Sequence, residues 1–230
     1  MLIACWSPKG GSGTTVIACG LAAVLARSRP PAGALLADLS GDVTAVLGAA
    51  EPTDPGLAEW LAAGPDVGSG ALTRFEVDAG AGLRFLAWKR PAADVRPAPG
   101  RAEALLEALS ADPRPVLADC GAAASGAGLA LAAGAQESLL VLRPCYLALR
   151  RALAAPVRPS GVVLVTESGR ALGRRDVEEV LGVPVRAEVP IEEAVARAVD
   201  AGMLARRVPR SLERALRPLS GPRRAGQDAA

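Results

Sequence analysis

A glycine-rich stretch near the N-terminus constrains the fold of this chain more than any other feature. Residues 7–15 read Ser-Pro-Lys-Gly-Gly-Ser-Gly-Thr-Thr, between the apolar run Leu2–Trp6 and a segment, 16–25, with helical apolar spacing. Glycines let consecutive backbone N–H groups turn toward an anion without Cβ clashes, and a helix N-terminus adds unpaired donors and the positive end of its dipole. This order of strand, loop and helix predicts a site for a chain of phosphates.

The loop resembles the deviant Walker A loop of the MinD/ParA family of P-loop ATPases, whose pattern is Lys-Gly-Gly-x-Gly-Lys-Thr/Ser. Thr15 matches the hydroxyl on the magnesium side, but Thr14 replaces the lysine that reaches the β- and γ-phosphates in the family, and Pro8 replaces the first glycine of the strict P-loop pattern. The resemblance assigns nucleotide contacts to the whole loop: Pro8, Lys9, Gly10, Gly11, Ser12, Gly13, Thr14 and Thr15.

Lys9 matches the family's signature lysine. The chain has 26 basic residues, of which only Lys9 and Lys89 are lysines. The resemblance implies that Lys9 reaches across a homodimer interface to the nucleotide of the partner subunit. Two alternatives stay open, in which Lys9 serves the phosphates of its own subunit or lies in a solvated turn.

Two further apolar runs, 33–38 and 115–119, end in the acids Asp38 and Asp119. Ligands of open α/β sheets bind outside the carboxyl ends of the strands, so both acids are candidate site residues. The resemblance makes Asp119 the Walker B acid and Asp38 the first acid of a family Asp-x-Asp pair. Ser40 replaces the second acid, which acts on the attacking water, and nearby Asp42 is an alternative for that role.

The resemblance therefore implies ATP and Mg²⁺ as cofactors, with Mg²⁺ held directly or through water by Thr15, Asp38 and Asp119. It also implies catalytic roles for Lys9, Asp38 and Asp119. Because Thr14 and Ser40 lack the charges that family members place there, we expect slow ATP hydrolysis or none.

Strands alternate with helices along the rest of the chain, which predicts an α/β fold of three layers, a mostly parallel β-sheet with helices on both faces, as in MinD/ParA-like P-loop NTPases. Two strands are predicted at 73–77 and 83–88, the second at a sheet edge, and a surface connection at 91–100. We expect a P-loop ATPase-like domain over residues 1–205 and a basic C-terminal helix and tail over 206–230.

Three segments refine the resemblance. Residues 41–43 and 55–61 are similar to the CpaE/TadZ branch, the polar localisation factors of Tad-type pilus and secretion systems, although a turn and an amphipathic helix also account for them. Residues 182–190 resemble the C-terminal half of MinD/ParA proteins, where the loop ending at Pro190 borders the adenine. Thr166 and Glu167 stand where the family often has an asparagine for the base, so adenine specificity stays open.

Composition excludes several classes of site. No histidine is present and the four cysteines are not closely spaced in pairs, which argues against zinc sites, histidine catalysis and a disulfide framework and predicts buried, reduced thiols. Half of the residues are hydrophobic and 3% are aromatic, so the core is expected to consist of Leu, Val and Ala, with Trp60 and Trp88 in packing roles. Without a signal segment or a long apolar span, the expected location is cytoplasmic, with recruitment to a pole, a septum or the inner membrane face.

The C-terminal region is basic. Residues 197–230 contain eight arginines and three acidic residues, and residues 211–217 are predicted to form a helix that begins at an N-cap serine and packs on the core. Peripheral contact with an anionic membrane and nonspecific DNA binding are the alternatives for this basic end.

These observations lead to a hypothesis of a dimeric, nucleotide-binding spatial regulator that acts on a pilus, secretion or cell-division (septum) protein. A pseudo-ATPase scaffold without physiological nucleotide is the second hypothesis. A Rossmann-type oxidoreductase is the third, because Gly11, Gly13 and Asp38 mimic the dinucleotide fingerprint, although Val16 occupies its third glycine position.

Overall fold

An eight-stranded sheet, parallel except for one edge strand, forms the centre of the protein. The computed structural model describes residues 1–50, 55–89, 96–122 and 126–221. The strand order is β3-β4-β2-β5-β1-β6-β7-β8. The strands are β1 (Leu2–Trp6), β2 (Ala34–Asp38), β3 (Glu76–Gly80), β4 (Leu83–Leu86), β5 (Val116–Asp119), β6 (Glu137–Leu142), β7 (Gly161–Thr166) and β8 (Val185–Pro190).

Strand β1 lies near the middle of the sheet. It pairs in parallel with β5, Leu2 beside Val116, and with β6, Ile3 beside Glu137. All five of its residues are buried, which explains why this strand is a continuous apolar run rather than an alternating one. Its carboxyl end, where the glycine loop begins, opens between the ends of β5 and β6.

This strand order is a correction to the oxidoreductase hypothesis. In the dinucleotide-binding order, β1 and β2 are neighbours, whereas β5 separates them here. The glycine loop and the acid at the end of β2 mimic the fingerprint in sequence, but they lie two strands apart.

Helices cover both faces of the sheet, which confirms the three-layer α/β prediction. One face packs against α1, α2 and α9, with α8 partly buried beside them, and the other packs against α3 to α7. The described residues form α1 (Thr14–Ser28), α2 (Val43–Leu47), α3 (Leu57–Ala62), α4 (Arg101–Ala111), α5 (Gly126–Gly134), α6 (Tyr146–Leu153), α7 (Arg174–Leu181), α8 (Glu193–Asp200) and α9 (Arg210–Leu216).

Helix α9 packs on the core through Leu212 and Leu216, which are 1% and 0% exposed. A Cβ added at Gly20 of α1 would lie 3.0 Å from a methyl of each leucine, so this glycine lets the two helices approach closely. The apolar face of α9 is therefore covered by protein. Residues 222–230, the end of the predicted basic tail, lie outside the described residues.

The predicted start of this last helix is wrong by one residue. The helix begins at Arg210, and the carbonyl of Pro209 accepts the first intrahelical hydrogen bond, from the N–H of Glu213, at 2.9 Å. Proline has a fixed φ suited to the start of a helix, so Ser211 falls inside the first turn instead of capping it.

The prediction of strands at 73–77 and 83–88, the second at a sheet edge, is partly wrong. Residues 69–75 form a 3₁₀ turn, and the edge strand is β3, which runs antiparallel to β4. Strand β4 lies inside the sheet between β3 and β2. The Glu76 carboxylate anchors the edge strand by ion pairs of 2.7 Å with Arg84 and with Arg114. Residues 91–95 of the predicted surface connection lie outside the described residues.

The four cysteines are free thiols, and the prediction that they are buried is confirmed for three of them. Cys5, Cys19 and Cys120 are buried, and burial raises the pKa of each thiol well above its ordinary value. Cys145 is half-buried, and its Sγ accepts a hydrogen bond from the N–H of Ala148 at the start of α6.

Trp60 and Trp88 have the predicted packing roles. Trp60 is 1% exposed, and the Arg101 guanidinium lies over its ring, 3.5 Å from the centroid. Trp88 packs against the same core. In the described ranges, no helix is both long enough and apolar enough to span a membrane.

Candidate phosphate-binding site

Three glycines of the loop have open space where a side chain would begin. Gly11 and Gly13 have φ angles of 76° and 86°, in the left-handed region that favours glycine. A Cβ added at Gly10, Gly11 or Gly13 would meet no atom within 4 Å. These glycines are thus not explained by close packing with the rest of the described chain, and their open side is where an anion would contact the backbone.

Helix α1 directs unpaired amides into this space. Its first intrahelical hydrogen bond runs from the N–H of Ile17 to the carbonyl of Gly13, at 3.0 Å. The N–H groups of Thr14, Thr15 and Val16 therefore have no intrahelical acceptor, and no side chain caps the helix. With no acidic residue in its first turn, the positive end of α1 is free to attract an anion.

Two serines fix the loop. The hydroxyls of Ser7 and Ser12 both donate to the Lys9 carbonyl, at 2.9 and 3.2 Å. The Ser7 N–H donates to the carbonyl of Gly121, which follows β5, at 2.9 Å. Contacts of this kind preorganise the loop, so an anion would bind without a large cost of ordering it.

Ser40 joins the two acids. Strands β2 and β5 pair in a register that sets Asp38 beside Asp119. The Ser40 Oγ lies 2.6 Å from Asp119 Oδ2 and 3.1 Å from Asp38 Oδ1, and 3.4 Å from the Oγ1 of Thr15. The Ser40 hydroxyl has one proton to donate, and the shortest of these three distances favours donation to Asp119.

Both carboxyl groups are fully buried. Burial, with a further contribution from the charge of Asp119, raises the pKa of Asp38 from 3.8 to about 6, although N–H groups of Gly41 and Ser40 donate to it. Burial likewise raises the pKa of Asp119, against hydrogen bonds from Ser40 and Thr15. Two adjacent buried acids disfavour full ionisation in the absence of a cation.

The donor set suits magnesium. Mg²⁺ binds oxygen ligands, commonly one or two carboxylates together with substrate phosphates, and a hydroxyl and two carboxyl groups meet here beside the phosphate loop. The described residues hold no group of three or more His, Cys, Asp or Glu side chains arranged for a metal. A cation bound at Thr15, Asp38 and Asp119 would leave coordination positions for phosphate oxygens and water.

The structure brings together most of the residues that the sequence predicts. Pro8 and Lys9 are half-buried, Ser12 and Thr14 are buried, and Thr15 lies next to Ser40. Pro190 is not part of this group, because it ends β8, three strands from β1, where it pairs with Thr166. Asp42 is exposed at the N-cap of α2, and its charge contributes to the raised pKa of Asp119.

Sequence reasoning missed two features of this edge of the sheet. It treated Ser40 only as the loss of an acid, whereas the hydroxyl links both remaining acids. It also missed an ion-pair cluster of Arg143, Glu167 and Arg170 at the ends of β6 and β7. The available signal was that Arg143 and Glu167 each come directly after a buried strand.

Solved structures of known proteins share this fold. A ParA family ATPase from Chlorobium tepidum superimposes with a TM-score of 0.76 at 20% identity, covering 95% of this chain and 96% of the other. MinD complexed with Mg-ADP from Pyrococcus horikoshii gives 0.76 at 19% identity, with coverage of 95% and 93%. MinD in the MinC:MinD complex from Aquifex aeolicus gives 0.74 at 18%, with coverage of 97% and 97%.

The chain therefore has the ParA/MinD P-loop fold over nearly its whole length. No protein-family model and no curated protein matches the sequence.

Proposed function

We propose that this protein is a ParA/MinD-like nucleotide-binding protein. As a homodimer with bound ATP and Mg²⁺, it regulates the position or assembly of a pilus, secretion or septum machinery. The observation that carries the proposal is the glycine loop, uncrowded at Gly10, Gly11 and Gly13, next to the Thr15 hydroxyl and the joined acids Asp38 and Asp119. The open loop amides and the N-terminus of α1 bind the phosphates, and the hydroxyl and acids hold Mg²⁺.

Slow hydrolysis, or none, follows from two side chains. Phosphoryl transfer depends on positioning and on charge stabilisation of the transferring group, and Thr14 supplies no positive charge. The Ser40 hydroxyl, 2.6 Å from Asp119, is a donor and is no base at neutral pH. Mg²⁺ supplies charge stabilisation when bound, while Lys9 completes the site of the partner subunit.

Support for a partner protein comes from the fold and from two segments. One structure with the same fold is a MinC:MinD complex, in which a MinD protein binds a cell-division protein. Residues 41–43 and 55–61, similar to the CpaE/TadZ branch, favour a pilus or secretion component instead. Recruitment by such a partner places the protein at a pole, a septum or the inner membrane face.

The basic end of the chain offers a second contact, with an anionic membrane surface or nonspecific DNA. Arg206, Arg207, Arg210 and Arg214 are exposed around the start and outer face of α9, whose apolar face is already packed. Binding of this kind is electrostatic, so DNA affinity should fall steeply between 50 and 200 mM salt. Affinity that does not change with salt would argue against it.

A scaffold without physiological nucleotide is the alternative, and Thr14 favours it. This residue is 6% exposed, so it replaces a flexible cation with a short, buried hydroxyl. Such a protein keeps the fold and its partner surface, and the loop has only a structural role.

Titration calorimetry with ATP, ADP and Mg²⁺, combined with light scattering on the same samples, tests the proposal. We expect Mg²⁺-dependent ATP binding that raises the mass to that of a dimer. The dimer should be lost in Lys9→Ala and kept in the matched variant Lys89→Ala, which removes the other lysine. No binding at millimolar ATP would establish the scaffold instead. A Thr14→Lys, Ser40→Asp double variant that gains phosphate release would support the explanation for slow hydrolysis.

A further inference from the structure

The Ser40 hydroxyl contacts one oxygen of each residue that the proposed function assigns to the cation. Its Oγ lies 2.6 Å from Asp119 Oδ2, 3.1 Å from Asp38 Oδ1 and 3.4 Å from Thr15 Oγ1. Octahedral Mg²⁺ has oxygen ligands at about 2.0–2.1 Å, which sets adjacent ligand oxygens about 2.9 Å apart. The three distances from Ser40 lie around this value, as expected for a fourth oxygen of the same coordination sphere.

The direction of the hydroxyl protons leaves lone pairs for a cation. Asp119 accepts a hydrogen bond from Ser40 and another from Thr15. Each hydroxyl has one proton and two lone pairs, so with both protons directed to Asp119 neither hydroxyl donates to the other. Thr15 Oγ1 and Ser40 Oγ are then two acceptor atoms 3.4 Å apart. A cation that binds both oxygens uses the lone pairs that these hydrogen bonds leave.

The two residues with hydroxyls are the more accessible members of the cluster. Asp38 and Asp119 are 0% exposed, whereas Thr15 and Ser40 are half-buried. Contact with a hydrated ion from solvent therefore begins at Thr15 and Ser40.

The backbone holds Ser40 in this position without help from its hydroxyl. The Ser40 N–H donates to Asp38 Oδ1 at 2.9 Å. A Cβ added at Gly121 would lie 3.3 Å from the Cβ of Ser40, so the glycine leaves room for the serine side chain. Replacing Ser40 with alanine thus keeps the N–H and the Cβ and removes a single oxygen from the site.

We propose that Ser40 is itself a ligand of Mg²⁺, so that the cation has two hydroxyl ligands, Thr15 and Ser40, which both donate their protons to Asp119. The inference rests on the proposed function, since phosphates of a bound nucleotide complete the site. It gives residue 40 a role in holding the cation, in place of a role on the attacking water. Ser40→Ala should weaken cation affinity about tenfold or more and leave nucleotide affinity without metal unchanged.

The first measurement is a titration of the full chain, saturated with ADP, with Mn²⁺. This ion takes the place of Mg²⁺ among oxygen ligands, and the paramagnetic resonance of the free ion reports how much is bound. Calorimetry with ADP and EDTA gives the nucleotide affinity of each variant without metal. Ser28→Ala is the matched control, because the exposed Ser28 hydroxyl donates to the Leu25 carbonyl at the far end of α1, at 3.0 Å, and this variant should keep the wild-type Mn²⁺ affinity.

A second variant distinguishes a ligand from a residue that only orients Asp38 and Asp119. Ser40→Cys replaces the oxygen with sulfur, so Mg²⁺ should bind more weakly while Co²⁺ gains a thiolate ligand, with the thiol proton released to the buffer. A thiolate bonded to Co²⁺ gives a charge-transfer absorption band in the near ultraviolet. Under anaerobic conditions, the wild type with its own four thiols and the control Ser28→Cys should lack this band.

The outcomes separate this inference from the proposed function. A loss of Mn²⁺ affinity of about tenfold or more in Ser40→Ala, together with the Co²⁺ band in Ser40→Cys, supports the inference. Unchanged Mn²⁺ affinity in Ser40→Ala, or a Ser40→Cys spectrum with no band above that of the wild type, overturns the inference and leaves nucleotide binding in place. If the wild type binds neither ADP nor ATP at millimolar concentration with Mg²⁺, the proposed function fails together with the inference.

Discussion

Replacing Asp38 with asparagine should stabilise the ligand-free protein at neutral pH, even though Asp38 accepts several hydrogen bonds. Burial raises its pKa from 3.8 to about 6, so the folded protein binds this proton more tightly than the unfolded chain does. The contribution of Asp38 to the free energy of unfolding is therefore most favourable below pH 3.8, falls as the pH rises to about 6, and stays low above that pH.

The magnitude follows from the difference in pKa. A shift of about two units corresponds to about 3 kcal/mol in full, of which the wild type loses about 2.5 kcal/mol between pH 4 and pH 7.5 and Asp38→Asn loses none. Asparagine keeps an acceptor for the N–H groups of Ser40 and Gly41 but leaves that of Val43, 3.2 Å from Oδ2, without one, at a cost of about 1 kcal/mol. The variant should thus be more stable by about 2 kcal/mol at pH 7.5 and slightly less stable at pH 4.

Urea denaturation at both pH values, without Mg²⁺ or nucleotide, measures these free energies. The useful quantity is the change with pH in the difference between variant and wild type, expected to be about 2.5 kcal/mol, because it cancels the titration of groups that do not interact with Asp38. Asp112→Asn is a control for which the change with pH should have the opposite sign. Burial alone would raise the pKa of Asp112, but hydrogen bonds from Arg114 lower it. A difference for Asp38→Asn that does not change with pH would refute the reasoning.

Three further substitutions test the packing around the site, each by urea denaturation. Gly48→Ala should cost about 3 kcal/mol, because φ is 64° there and the new Cβ would lie 2.0 Å from the carbonyl oxygen of Gly202; a loss below about 1 kcal/mol would contradict this. Leu216→Ala should cost about 2–5 kcal/mol if α9 is docked on α1, and an unchanged midpoint would show that it is not. Arg101→Lys should cost about 2 kcal/mol, since lysine cannot keep both guanidinium hydrogen bonds to the Trp60 carbonyl, whereas equal stability would show that charge alone suffices.

The phosphate loop and the two acids could be predicted because their signals are local. A strand, a glycine run and a helix follow one another within 28 residues, and each acid ends its own apolar run. The link through Ser40 could not be predicted in the same way. It depends on the register that sets Asp38 beside Asp119, two residues 81 positions apart, and registers between distant strands leave no local pattern.

The error at the sheet edge has a related cause. Strand β4 alternates poorly because both of its faces are covered, with Leu83, Phe85 and Leu86 all buried. The poor alternation of apolar and polar residues predicts an edge strand, but β4 lies inside the sheet, between β3 and β2. The cluster around Glu167 was missed because Arg143 follows β6 whereas Glu167 and Arg170 follow β7, and these two segments meet only when β6 and β7 pair.

The central position of β1 has a consequence for synthesis on the ribosome. Its partners in the sheet, β5 and β6, are residues 116–119 and 137–142, so after β1 is translated about 140 further residues must follow before both of its edges can pair. At roughly 5–20 residues per second, this delay is about 7 to 28 seconds. During that time the apolar segment Leu2–Trp6 lacks its partner strands, and nascent chains of this protein should be a substrate for chaperones that bind short apolar sequences.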